Sequence, residues 1–289
     1  VFILRRRLIA LDMDGTLVSS NHEISDVNKK AIKDAQAAGH VVMICSGRPH
    51  DTLLITLKNE GFSDLPISGS NGAVTLIDGE IVNRVSMNRD AAAKLYAWLD
   101  ANEYPFKIYT DCGIYGPKEF LARAKHEFMT TTRVENPHFA NFGKMEEYQN
   151  KFATNYTKKF SDIQEDASIF KFFMMTPNMD KKATVQAFAK SIGGLTITSS
   201  YEDNVELSDI TAHKGTGLTV VANHFNIPIE DTVAMGDNYN DSGMLETAGL
   251  AVAMANGEIG IKEISDVVTL SNDEDGVAHA IRQYVLEQT

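Results

Sequence analysis

Two short aliphatic runs, Leu8-Ile9-Ala10-Leu11 and Val41-Val42-Met43-Ile44-Cys45, bracket a helical stretch from about Ser25 to Ala38. Ser25 reads as the N-cap of that helix and Gly39 as its stop. Strand, helix, strand in this order is a βαβ unit, which sets the two strands parallel with a right-handed crossover. Unbroken aliphatic runs of this length suit strands covered on both faces, so the chain is constrained towards an open, doubly wound α/β sheet. Parallel strands finish on one edge. The residues that follow the two runs, Asp12-Met13-Asp14-Gly15-Thr16 and Ser46-Gly47-Arg48-Pro49, therefore share the edge at which such sheets bind ligands.

Asp12 and Asp14 stand one residue apart, and two ionised carboxylates so close repel unless a cation neutralises them or one keeps a proton. Either remedy points to chemistry. Beside Mg²⁺, one carboxylate can attack as a nucleophile while the other serves as general acid and then general base. Gly15 lets the backbone turn sharply, and Thr16 offers a hydroxyl to fix the geometry. Asp-Gly is also common punctuation, so this motif alone leaves an ordinary strand-to-loop turn open.

The 289 residues exceed the usual single domain, and the pattern divides accordingly. A helix over about His50 to Glu60, the loop Gly69-Ser70-Asn71-Gly72 and a hairpin around Asp78-Gly79 continue the first part. From about Met87 to Ile197 the character changes. Helices over Asp90–Asn102 and Lys181–Ile192 alternate with strands over Phe106–Thr110, Ile169–Met175, Leu195–Ser200 and Asn204–Ser208, around a polar middle rich in Lys, Asn and Tyr. This predicts a mixed antiparallel sheet with helices on one face. The doubly wound alternation then returns with helix Lys214–His224, strand Thr232–Met235, helix Asp241–Ala248, strand Leu250–Met254 and a closing helix over Gly276–Leu286. The expectation is a Rossmann-like core over 1–85 and 208–289, interrupted by an inserted α+β domain over 86–207.

A formal net charge of -12 and a pI near 5.1 argue against non-specific nucleic-acid binding, and an anionic substrate would depend on local positive charge. No apolar run approaches the roughly 18 to 20 residues of a membrane span. The start, Val1 to Arg7, lacks an initiator Met and is too short for a signal peptide. Two cysteines, Cys45 and Cys112, are too few for a disulfide framework. A cytoplasmic monomer or weak homo-oligomer, with neither nucleic acid nor membrane as partner, is the expectation.

Three more polar clusters fall at the same sheet edge. Ser46-Gly47 offers a hydroxyl and a backbone N–H near a helix start, suited to a phosphate or oxyanion, although such a Ser is as often an N-cap. Arg48 could reach solvent or substrate. Lys214 opens a helix, where a cation is electrostatically misplaced and suggests a bound anion; the alternative is a surface lysine bearing a small penalty. Gly236-Asp237-Asn238-Tyr239-Asn240-Asp241 adds two carboxylates and an amide after another strand. With Asp12 and Asp14 it makes an oxygen-rich site suited to Mg²⁺, though Asn-Asp runs are also turn formers. His213 reads as a loop residue, with no second His or Cys at ligand spacing.

Asp12-Met13-Asp14-Gly15-Thr16, Ser46-Gly47-Arg48, Lys214-Gly215 and Gly236-Asp237 with Asn240-Asp241 together resemble the four motifs of the haloacid dehalogenase superfamily, and within it the Cof-type phosphatases. The resemblance covers nearly the whole chain. It implies that Asp12 is nucleophile and Mg²⁺ ligand, and that Asp14 is acid and base, binding the metal through its backbone carbonyl. Asp237 would complete the metal site, with Asp241 as supporting carboxylate, ligating directly or through water. Ser46, Gly47, Lys214, Asn240 and the backbone of Met13 would hold the phosphoryl group. The long interval between Ser46 and Lys214 resembles that of the second cap class. The function implied is Mg²⁺-dependent hydrolysis of a small phosphorylated metabolite, a sugar phosphate or a cofactor- or nucleotide-like phosphate, through an aspartyl phosphate. A phosphosugar mutase and a non-enzymatic phospho-accepting module are the alternatives.

Other features read as structural. Phe170 to Met175 is expected to be a strand packed on helices, and Trp98 an anchor of its helix. Glu206 and Asp209 could orient Lys214 or form a solvated hinge. Asn71 could line the site entrance, but Asn-Gly is first a turn.

Overall fold

A computed structural model describes residues 5–131, 154–199 and 203–287. Residues 1–4, Ser200 and most of the insert's polar middle lie outside the described residues. The chain forms two compact units, one from Val1–Arg84 with Ala212–Thr289 and the other from Val85–Thr211.

The first unit is built on β1 (Leu8–Leu11), β2 (Val41–Cys45), β3 (Ile67–Gly69), β4 (Val74–Ile77) and β5 (Glu80–Arg84), with helices α1 (Asp26–Ala37) and α2 (His50–Asn59) between the parallel strands. Its later half contributes helices over Lys214–His224, Ser242–Thr247, Ile259–Ile264 and Gly276–Ile281. Strands over Thr232–Gly236, Leu250–Ala253 and Val267–Val268 join the same eight-stranded sheet. β1 is central, parallel to β2 on one side and to Thr232–Gly236 on the other; β4 and β5 add an antiparallel edge. Every residue of β1 and β2 is buried, as their aliphatic content requires, and each fully buried Leu, Ile or Met contributes about 1.5–3 kcal/mol. Leu8, Ala10, Met43 and Cys45 pack with Leu218, Val221 and Met244 of the covering helices. Ser25 caps α1 by accepting from the Asn28 N–H at 3.0 Å. The buried Asn28 accepts in turn from Ala278 N–H at 2.9 Å, tying α1 to the helix over Gly276–Ile281.

The second unit is a six-stranded sheet. Its strands are β6 (Phe106–Thr110), β7 (Gly113–Pro117), β8 (Thr154–Thr157), β9 (Ile169–Met175), β10 (Leu195–Thr198) and β11 (Asn204–Asp209). All pairings are antiparallel except β7 with β8. Alternate residues Phe106, Ile108, Phe172, Met174, Val205 and Leu207 face helices α3 (Arg89–Ala101) and α5 (Met179–Ile192). Phe170 to Met175 is thus a structural strand, as expected. Trp98 stacks on Phe188 with centroids 4.3 Å apart. Three elements go beyond the sequence reading: β7, β8 and the helix α4 (Phe120–Thr131). α4 packs through Phe120 and Phe128 on Met175 and Phe173, which alternate with the α3-facing residues and so lie on the other sheet face.

Both cysteines are free, and burial pushes the Cys45 thiol up to about 12. No helix of the described residues is long and apolar enough to cross a membrane.

Candidate active site

The site lies at the C-terminal ends of β1, β2 and the strand Thr232–Gly236, and all of its residues belong to the first unit. The ladder runs past β1, with Asp12 N–H donating to the Met235 carbonyl at 3.1 Å. The chain then folds back tightly: N–H groups of Thr16 and Val18 both donate to the Met13 carbonyl. Gly15 makes the turn possible at φ +85°. A Cβ there would collide with the Asp237 carboxylate, so glycine also admits the second acidic strand end. Thr16 Oγ1 donates to Asp237 Oδ1 at 2.7 Å and orients it.

Lys214 is fully buried. Its ammonium donates to Asp12 Oδ1 at 2.5 Å and to Asp241 Oδ1. The other Asp241 oxygen accepts from the N–H groups of Asp237 at 2.9 Å and Asn238 at 3.0 Å, so Asp241 organises both the lysine and the loop after the strand. Gly236 permits this, since a Cβ there would meet the Asp241 carboxylate. The expected surface alternative for Lys214 is excluded by its burial. Its partners are Asp12 and Asp241, while Glu206 pairs with Lys171 at 3.1 Å and Asp209 accepts from Thr211; the suggested orienting role of Glu206 and Asp209 is not what the structure shows.

Charge is out of balance here. Asp12, Asp237 and Asp241 each place an oxygen within 4.8 Å of the others, against one buried ammonium. Burial, then Asp241, push Asp12 well above the ordinary carboxylate range in spite of Lys214. The same two causes raise Asp237 to about 6. Burial opposes the Lys214 charge, but Asp12 and Asp241 outweigh it and hold the ammonium above the usual lysine range. Hard oxygen donors with surplus negative charge are what a divalent cation such as Mg²⁺ requires.

The other side of the site is held by hydrogen bonds and one ion pair. Ser46 is buried and its Oγ accepts from Arg48 N–H at 3.2 Å; its carbonyl accepts from Asn71 N–H at 3.0 Å. Ser70 and Asn71 both have positive φ, +50° and +57°, a strained pair of the kind that clusters at functional sites. Asn71 Oδ1 accepts from Asn240 Nδ2 at 3.2 Å, and a Cβ on Gly47 would sit 3.0 Å from that oxygen. Gly47, Asn71 and Asn240 are therefore one cluster, and Asn71 is more than a turn residue. Arg48 grips Asp14 with both arms, Nε to Oδ2 at 2.8 Å and Nη2 to Oδ1 at 2.5 Å. Arg48 and Asn71 were the residues whose place the sequence left undecided; neither their spacing nor their type signals a partner that far away.

A doubly wound core with an inserted sheet forming a cap, and three carboxylates converging with a buried lysine at the strand ends, defines an α/β enzyme of phosphoryl chemistry. The family model of the haloacid dehalogenase-like hydrolases matches residues 9–281, and the chain belongs to that family. Among its relatives is the phosphatase YwpJ of Bacillus subtilis, 33% identical over 96% of this chain and 99% of its own. The 5-amino-6-(5-phospho-D-ribitylamino)uracil phosphatase YwtE of the same organism is 31% identical over 98% of this chain and 99% of its own. A haloacid dehalogenase-like hydrolase from B. subtilis superposes with TM-score 0.83 at 31% identity, covering 96% of this chain and 99% of that one. The subclass IIB sugar phosphatase BT4131 shares the fold, with TM-score 0.77 at 22% identity over 96% of this chain and 98% of its own. The chain is a Cof-type phosphatase, a hydrolase of phosphomonoesters.

Proposed function

We propose that this phosphatase hydrolyses a small phosphorylated metabolite in two steps, with Asp12 as nucleophile and Asp14 as general acid and base. The observation that carries the reading is Asp12 itself. It is a nearly buried carboxylate at the end of the central strand, pinned by Lys214 and crowded by Asp237 and Asp241. The carboxylates of Asp12 and Asp237 and the backbone carbonyl of Asp14 would hold Mg²⁺. Asp241, both of whose oxygens are engaged, would support it through water. Bound there, Mg²⁺ would offset charge on the phosphoryl oxygens.

The residues of the chain do the rest. Lys214, Ser46, Asn240 and the N–H groups of Gly47 and Met13 orient the phosphoryl group and neutralise its oxygens. A carboxylate oxygen of Asp12 bonds to phosphorus as the ester P–O bond breaks, and Asp14 gives a proton to the departing alkoxide. Water, giving its proton back to Asp14, then attacks phosphorus and frees phosphate and Asp12. Arg48 occupies both Asp14 oxygens, so Asp14 meets the leaving group only after one of those bonds opens.

The test is phosphate release from a panel of phosphorylated metabolites, with kcat/KM measured in Mg²⁺ and after chelation. Release that depends on Mg²⁺ is expected, with label from the ester passing to water. Release from no ester, or label passing to a second sugar hydroxyl, contradicts the reading.

A further inference from the structure

The loop Ser70-Asn71-Gly72 between β3 and β4 is an expensive one. Three left-handed residues follow one another, Ser70 at φ +50°, Asn71 at +57° and Gly72 at +92°, and only the last is a glycine. Asn enters that region more readily than most side chains, and Ser does not share the advantage. Ser70 and Asn71 are also buried, at 1% and 3% exposure, and Ser70 Oγ has no hydrogen-bond partner among the described residues. A turn needed only to join two strands would carry glycine or lie in solvent.

The strained backbone puts the loop against three of the polar segments that form the site. Ser70 N–H donates to the Arg48 carbonyl at 2.9 Å, and Asn71 N–H to the Ser46 carbonyl at 3.0 Å. The Ser46 carbonyl shares its peptide unit with the Gly47 N–H, and a trans peptide points the two in opposite directions. The bond from Asn71 therefore sets the direction of the Gly47 N–H. On the side-chain end, Asn71 Oδ1 accepts from Asn240 Nδ2 at 3.2 Å. Both atoms lie beside Gly47, 3.0 and 3.7 Å from where a Cβ would stand, so the glycine leaves room for the amide pair. Gly72 closes the frame: a Cβ there would fall 2.0 Å from the carbonyl oxygen of His213, the residue before Lys214.

We propose that Asn71 is a positioning residue for phosphoryl binding, with its N–H aligning Gly47 and its side-chain carbonyl aligning Asn240. The assignment rests on the phosphatase reading, in which Gly47 and Asn240 hold the phosphoryl oxygens. An acceptor at Asn71 Oδ1 selects the orientation of the Asn240 amide, because the reversed amide would set carbonyl oxygen against carbonyl oxygen. The bond uses one N–H of Nδ2 and leaves the amide its second donor. Residue type follows from both demands. Glycine would adopt the backbone but supply no acceptor, and Asp would bring a negative charge beside a phosphoryl dianion.

Asn71→Gly isolates the side-chain role, since it keeps the left-handed backbone and its N–H and removes only the amide. On the best ester of the panel, kcat/KM should fall about tenfold, as loss of one aligning hydrogen bond implies. The urea midpoint should stay close to that of wild type, relief of backbone strain offsetting the lost bond. Made in an Asn240→Ala background, the same change should cost less than about twofold, because the group it acts through is gone. Equal losses in the two backgrounds overturn the proposal, and so does kcat/KM of Asn71→Gly within about twofold of wild type. A variant that does not fold makes Asn71 a structural residue and overturns it too. If wild type hydrolyses no ester, the phosphatase reading fails, and calorimetric titration with inorganic phosphate in Mg²⁺ decides the alignment alone. Phosphate binding weakened by Asn71→Gly only where Asn240 is present sustains it; equal or absent binding sinks it.

Discussion

At the scale of single residues, the central fact is that one buried ammonium serves two carboxylates. Lys214 begins a helix, where its charge is unfavourable, and is fully buried; Asp12 and Asp241 supply the compensation. Removing it leaves two buried carboxylates without a cation. Lys214→Met is therefore expected to lose turnover and about 3–5 kcal/mol of stability at neutral pH, measured by urea denaturation; a loss within about 0.5 kcal/mol, typical of surface changes, would contradict the burial argument. Lys214 was legible in the sequence as a misplaced cation, but its two partners were not, because they come from the ends of different strands. Arg48 and Asn71 were less legible still. Arg48 could serve solvent or substrate by its position, and only the fold brings Asp14 into its reach. Asn71 looked like half of an Asn-Gly turn, and the turn is real, yet its side chain is spent on Asn240.

Among elements, the buried parallel strands were the easiest to read, since a strand covered on both faces must be aliphatic throughout. Helix Lys214–His224 begins and ends where its pattern places it. The cap was harder. β7, Gly-Ile-Tyr-Gly-Pro, carries glycine and proline where a strand signal needs alternation, and α4 mixes polar residues into its buried face, including Glu127. Glu127 is tolerated because Thr176 and Lys181 satisfy it, a compensation invisible before folding. The loop after β1 shows the reverse case, a local rule with a distant cause. Gly15 needs its positive φ, and its missing Cβ makes room for Asp237. Gly15→Ala should strain the loop by about 1–3 kcal/mol and weaken Mg²⁺ affinity about 10- to 100-fold by displacing Asp237. A Mg²⁺ titration followed by thermal shift reads this; an unchanged affinity would mean that Asp237 is not held by that turn.

For the whole molecule, the surplus of carboxylates couples folding, pH and metal. Asp237 sits at about 6, above its ordinary 3.8, so the folded state holds that proton more tightly than the unfolded chain does. Its contribution to stability is present below about pH 4 and is lost as pH rises through about 6; Asp12 is shifted the same way. Metal-free protein should therefore lose on the order of 1–3 kcal/mol over that window relative to Asp237→Asn. Mg²⁺, which needs the ionised carboxylate, should cancel the loss. Parallel stability curves for the two proteins would show that Asp237 bears no such strain.

All of these effects converge on one claim, that Asp12 forms the bond to phosphorus. Asp12→Asn keeps the shape of the side chain and removes its nucleophilic charge. With folding checked by circular dichroism and Mg²⁺ present, its kcat on the best ester of the panel is the decisive number. Turnover below about a hundredth of wild type is expected, a loss of at least about 2.7 kcal/mol in transition-state stabilisation. A folded variant that retains more than that would show that another group makes the attack.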